Sequence, residues 1–152
     1  MATILPLRGE WCMRGIERMA SIEEIEGIGP KFARKLRKTG VRTTEGLLRR
    51  GATRKDRATL AEEAGFTPEQ ILEWVNRADL MRVKGVGSEY SDLLENAGVD
   101  TIKELRRRNA KTLVAKMTEI NEKKRLVRRL PTEGMVASWI EGAKELEPVV
   151  KH

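Results

Sequence analysis

The sequence predicts an all-α protein made of two tandem copies of one module, each of about five short helices. Three observations carry this. Apolar residues recur at helical spacing in short segments that end in glycine and begin after Thr or Ser. Charged residues make up 35% of the chain and aromatics only 4%, a balance that suits small helical units better than a sheet sandwich. The stretch Ile25-Glu26-Gly27-Ile28-Gly29-Pro30-Lys31-Phe32-Ala33 is restated 58 residues later (Gly27 to Gly85) as Val83-Lys84-Gly85-Val86-Gly87-Ser88-Glu89-Tyr90-Ser91.

In chain order, Met1 to Arg18 shows no periodicity and reads as an extension, with Met19-Ala20-Ser21 a more natural beginning. Ser21 and Glu24 form a capping box for a short helix, Ile22 to Glu26. Gly27 tolerates a positive φ, Gly29 allows close approach, and Pro30 suits the first turn of the next helix. That helix turns Ala33, Phe32 and Leu36 inward and stops at Gly40. Thr43 or Thr44 starts a third helix carrying Leu47 and Leu48 and ended by Gly51. A fourth follows Thr53, buries Leu60, Ala61 and Ala64, and stops at Gly65. Ala64-Gly65-Phe66-Thr67 reads as a second, degenerate hairpin. Thr67-Pro68-Glu69-Gln70 then opens a longer helix containing Ile71, Leu72, Trp74, Val75 and Ala78.

The offset of 58 holds without a gap from Ser21/Asp79 through Phe32/Tyr90, Leu36/Leu94, Gly40/Gly98, Thr43/Thr101 and Leu47/Leu105 to Ala52/Ala110. Trp74, Val75 and Ala78 match Trp139, Ile140 and Ala143 at an offset of 65 (74 to 139), which places a short insertion within Asn121 to Pro131. The division that follows is an extension at 1–18, a first copy at 19–78, a second copy at 79–147 and a tail at 148–152. Trp74 and Trp139 recur at equivalent places on apolar faces and read as core residues; Trp11 carries no pattern.

Composition narrows the chemistry. Thirty basic against 23 acidic residues give a formal charge of +7 and a pI near 9.8, which favours polyanionic partners. A single cysteine, Cys12, forms no internal disulfide, and one histidine, His152, removes most metal-site readings. No apolar run reaches the ~20 residues of a membrane span, and Ile4-Leu5-Pro6-Leu7 is too short for a signal-peptide core, so a cytoplasmic location is expected. There is no internal histidine, P-loop or serine elbow, and the adjacent pairs Glu23-Glu24 and Glu62-Glu63 read as solvated surface; the expectation is a protein that is not an enzyme.

The opening stretch resembles the helix-hairpin-helix motif, apolar-x-Gly-apolar-Gly-x-x-x-Ala, and its continuation through Leu60 to Thr67 resembles the N-terminal domain of RecA-like recombinases, a SAM-like fold. The tandem arrangement, with Trp74-Val75-Asn76-Arg77-Ala78-Asp79-Leu80 leading into the second copy, is most similar to an uncharacterised bacterial and archaeal family classed as a domain of unknown function. The resemblance covers nearly all of Ser21 to Leu146. It implies hairpin amides that hold DNA phosphates without reading bases, with Gly27, Ile28, Gly29 and Lys31 at the contact. It also allows a monovalent cation on the hairpin carbonyls and implies no other cofactor.

Charge distribution points the same way. From Lys31 to Arg57 there are eleven basic residues against two acidic ones, whereas the equivalent span Glu89 to Ala115 holds five of each. Lys31, Arg34, Lys35 and Lys38 fall at i, i+3, i+4 and i+7, one stripe of the post-hairpin helix. Their counterparts are Glu89, Asp92, Leu93 and Asn96. The second hairpin, Gly85, Val86 and Gly87 with Glu89, thus departs from a pattern in which paired hairpins grip both strands. It is expected to be structural or to dock a protein partner. A second basic region comprises Arg106, Arg107, Arg108, Lys123, Lys124, Arg125, Arg128 and Arg129. The expected function is sequence-independent DNA binding; the rival is a protein-interaction or scaffold module, such as an accessory to a nuclease or repair enzyme, with no preference set for oligomeric state.

Overall fold

The structure, a computed structural model, describes residues 20–152, and among these it is all-helical. The expectations for the 1–18 extension, Met19, Trp11 and Cys12 lie outside the described residues. After a 3-10 turn at Ile22–Glu24 come α1 (Pro30–Lys38), α2 (Thr44–Arg50), α3 (Arg54–Ala64), α4 (Pro68–Leu80), α5 (Ser88–Asn96), α6 (Ile102–Leu105), α7 (Ala110–Lys124) and α8 (Glu133–Lys144). No described helix is long and apolar enough to cross a membrane.

The boundaries follow local chemistry. Thr43, Thr53, Thr67, Asn109 and Thr132 each accept a hydrogen bond from an amide in the first turn of α2, α3, α4, α7 and α8. Thr67 and Gln70 form a reciprocal capping box. Gly40, Gly65 and Gly98, with φ of 95°, 83° and 95°, end α1, α3 and α5 in the left-handed region open to glycine.

The same backbone bonds recur 58 residues apart. Ile28 N donates to Ile25 O as Val86 N does to Val83 O; Ala33 N donates to Gly29 O as Ser91 N does to Gly87 O; Val41 N donates to Leu36 O as Val99 N does to Leu94 O. Gly27 and Gly85 share a φ near 95°. Two apolar cores result. One is built on Ile22, Ile25, Leu36, Leu47, Leu60, Ile71 and Trp74. The other is built on Val83, Leu93, Leu94, Ile102, Leu105, Leu113 and Trp139. Trp74 and Trp139 are both buried, as the sequence led us to expect. Trp74 edges onto Phe66 at 4.9 Å and packs on Phe32 at 5.8 Å, and Trp139 packs on Tyr90 at 5.1 Å. The insertion is the loop between α7 and α8, which replaces the three-residue Gly65-Phe66-Thr67 link between α3 and α4.

Three features refine this description. The first short helix is a single 3-10 turn, Ile22–Glu24, that stops where Ile25 turns extended (φ −75°, ψ 128°) with its side chain in the core, and in place of the expected capping box with Glu24, Ser21 Oγ accepts from Glu23 N. The bonds of that turn recur in the second half, Arg82 N to Asp79 O and Val83 N to Leu80 O, but there the turn is fused to the end of α4. α4 runs unbroken through the 78/79 boundary to Leu80, so four helices, not five, follow it. Residues 74–80 are all buried, with Trp74, Val75, Ala78 and Met81 in the first core and Leu80 in the second. The tail is also packed: Val149 and Val150 lie against the first core, Lys151 N donates to Ala52 O at 2.7 Å, and Arg57 Nη2 donates to Lys151 O at 2.8 Å.

Candidate nucleic-acid interface

The Gly27–Gly29 turn delivers α1 with its N-terminus open. Gly29 is the N-cap and offers no side-chain oxygen, and Pro30 at N1 has no N–H. The amides of Gly27, Gly29, Lys31 and Phe32 make no hydrogen bond among the described residues. Gly29 has nothing within 4 Å of where a Cβ would stand, whereas Gly27 lies against Trp74, whose Nε1 would be 3.3 Å from a Cβ. Ile28 is a correction. Its amide donates to Ile25 O at 3.1 Å and its side chain is buried in the first core, so neither is offered to a phosphate.

Charge in the first turn of α1 runs against the helix dipole. Its first turn has no acidic residue and carries Lys31, whereas α2 to α6 and α8 each place an acid there. Lys31, Arg34, Lys35 and Lys38 are all exposed, and none takes part in an ion pair among the described residues. Lys35 Nζ sits 5.5 Å from the centroid of Phe66, which braces it by a cation–π contact. The rest of the eleven-cation run divides. Arg37 pairs with Glu23 at 3.2 Å, Arg49 with Glu45 at 3.7 Å and Arg50 with Glu63 at 2.9 Å. Arg57 is buried and holds the carbonyls of Gly51, Ala52 and Lys151. Arg42, Arg54 and Lys55 stay exposed.

The second turn has the same backbone and opposite electrostatics. Gly87 is an N-cap without a side-chain bond, and Gly85 presses on Trp139, whose Nε1 would be 2.9 Å from a Cβ. Val86, like Ile28, is buried with its amide used. Glu89 stands in the first turn of α5, and Ser88 Oγ lies 3.5 Å from Glu26 Oε2 of the first turn, so two carboxylates already answer the positive end of α5. Asp92, expected with Glu89 on a face for a protein partner, is instead buried. It accepts from Arg77 Nη2 of α4 at 2.9 Å. On this side the acidic helix packs against α4 of the same chain, while Glu89 stays exposed.

Arg77 is the joint. Its Nη2 lies 2.9 Å from Asp92, 2.9 Å from Glu95 and 3.0 Å from Glu73, and its Nη1 donates to Glu26 O at 3.0 Å. A guanidinium charge therefore already rests on one of the turn carbonyls, on which the resemblance allows a monovalent cation. Burial, with help from the charges of Glu73, Asp100 and Asp92 and against the pull of Arg77, raises the Glu95 carboxyl to about 7. Asp79 is a second buried acid. Its Oδ2 accepts from Ile102 N at 2.9 Å and so caps α6, doing what the Ala20 carbonyl does for Thr44 N in the first half, and Arg82 pairs with its Oδ1 at 2.8 Å. Burial raises the Asp79 pKa, opposed by the Ile102 amide and Arg82.

The second basic region separates into two parts. Arg106 donates to the carbonyls of Ala143, Lys144 and Leu146 at the end of α8, and Arg108 to Gly98 O at the end of α5, so both are spent within the fold. Arg107 is exposed, as are Lys123, Lys124, Arg125, Arg128 and Arg129. Arg50 donates to Thr39 O at the end of α1, so Arg50 and Arg108 are one repeated capping device that the residue pattern concealed. The buried polar run Asn76, Arg77 and Asp79 on α4 was the one available signal for the joint.

These features define an all-α protein with two recurring Gly-x-Gly turns, one of them cationic and open, the other neutralised by its own chain. The chain belongs to the family described as Domain of unknown function (DUF4332), whose model matches residues 26–146. No curated protein and no solved structure matches it.

Proposed function

We propose that the two halves are tandem helix-hairpin-helix units, that the chain binds DNA without reading its sequence, and that the first unit makes the contact as a binding protein, not an enzyme. The observation that carries this reading is the combination on α1 of an uncapped N-terminus and four cations that make no ion pair among the described residues. Free amides at Gly27, Gly29, Lys31 and Phe32 suit phosphate oxygens. A cation in the first turn weakens an isolated helix by a few tenths of a kcal/mol, a cost that an incoming phosphate removes. Lys31 to Lys38 spans roughly 10 Å at 1.5 Å per residue, enough for about three phosphates of one strand. Contacts of this kind position a backbone and carry no base information.

The test is charge reversal of Lys31, Arg34 and Lys35 to Glu, with affinity for a labelled duplex read by fluorescence anisotropy. None of the three side chains is in the core, and Lys31→Glu favours the helix dipole, so the variant keeps wild-type thermal stability while binding is lost. A folded variant with unchanged affinity removes the assignment.

A further inference from the structure

The first half carries its cations on the helix after the turn; the second half has lost them there. Lys31, Arg34, Lys35 and Lys38 correspond to Glu89, the internally paired Asp92, the buried Leu93 and Asn96. The insertion between α7 and α8 lies along that same helix. Lys124 Nζ bonds Asn96 Oδ1 at 2.7 Å at the C-terminal end of α5, and the Arg129 carbonyl accepts from Tyr90 Oη at 2.9 Å near its N-terminal end. Tyr90 and Asn96 are six residues apart, about 9 Å along the helix.

The loop between them is pinned. Asn121 holds Val127 from both sides, accepting from its amide at 2.9 Å and donating to its carbonyl at 3.2 Å, and Val127 is buried. Arg125 takes a left-handed conformation, φ 51°, the one described non-glycine residue to do so, in closing α7. Arg125, Arg128 and Arg129 are exposed and make no ion pair among the described residues.

We infer that the loop from Lys124 to Arg129 is a second phosphate-backbone contact, which restores beside α5 the cationic surface that α5 itself has lost. The occupant is the same nucleic acid that α1 holds, so the inference rests on the function proposed above. Charge complementarity selects it: a fixed row of unneutralised cations suits a regularly charged polymer.

The experiment measures duplex affinity across a salt series for wild type, for Arg125→Asn/Arg128→Gln/Arg129→Gln, and for the α1 variant. Lys124 is kept for its bond to Asn96. The loop variant melts like wild type, binds at least about tenfold more weakly at low salt, and has a log–log salt slope smaller by about 2 to 3, at ~0.9 for each phosphate no longer neutralised. Wild-type affinity and slope in the loop variant, with binding lost in the α1 variant, overturn this inference and leave the proposed function standing. Failure of wild-type protein to bind overturns both.

Discussion

Replacing Arg77 with Met tests how the two halves are held together. The guanidinium serves three carboxylates and the Glu26 carbonyl, while Asp92 and Glu95 keep only 11% and 15% of their side-chain surface exposed. Removing the cation leaves those acids desolvated and mutually repelling. Breaking a buried pair from one side costs about 3–5 kcal/mol, and the residual exposure places this case near the lower figure. Against a total stability on the order of 5–15 kcal/mol this is severe, equivalent to a fall of roughly 10 °C in melting temperature. The assay is urea unfolding at pH 8 and pH 5. Glu95, already raised by burial with Arg77 in place, holds its proton more readily folded than unfolded once the cation is gone, so the deficit is largest at pH 8 and shrinks toward pH 5. Adding Asp92→Asn and Glu95→Gln restores part of the loss, because the stranded charges are then gone. A deficit below about 1 kcal/mol at pH 8, or one that does not change with pH, refutes the assignment of Arg77 as the joint.

Further outcomes follow from the same packing. Glu95 has its carboxyl raised from 4.5 to about 7, so the folded state holds the extra proton and stability from this group falls as pH rises between those values. Glu95→Gln removes that slope and stabilises the protein at pH 8 by about 1 kcal/mol, after discount for solvent screening and the Arg77 contact; thermal melts from pH 5 to 8.5 that run parallel to wild type contradict this. Gly85→Ala places a Cβ 2.9 Å from Trp139 Nε1 at a positive φ, and Gly27→Ala one 3.3 Å from Trp74 Nε1. Both destabilise, by about 3 and 2 kcal/mol respectively, in denaturant unfolding followed by tryptophan fluorescence, and the reverse order contradicts the packing described. Deleting Val149 to His152 removes Val150 from the first core and an acceptor from Arg57. The loss is about 2 kcal/mol, and hydrogen exchange quickens in α2 and α3 but not in α7.

Much of the fold was legible because its punctuation is local. Threonine caps, glycine stops and a proline at N1 act within one turn of helix, and the 58-residue offset reappears as the same backbone bonds. What escaped depends on the other half of the chain. Arg34 and Asp92 hold the same register, yet one faces solvent and the other faces α4, because only the second copy has a preceding half packed against that side. The Arg106-Arg107-Arg108 run looks like one patch in sequence, but its flanking members cap two helix ends and leave only Arg107 outside. At the candidate site the stripe was legible from helical spacing. The loss of the Ile28 amide was not, since a bond from residue 28 to residue 25 is a property of the turn geometry and not of side-chain identity.

The most direct test of the α1 assignment is a titration of isotope-labelled protein with a short duplex, followed by amide chemical shifts. The largest changes are expected at Gly27, Gly29, Lys31 and Phe32, with Ile28 shielded by its bond to Ile25. Saturable binding that leaves those four amides unmoved, with shifts confined to other helices, would contradict the account.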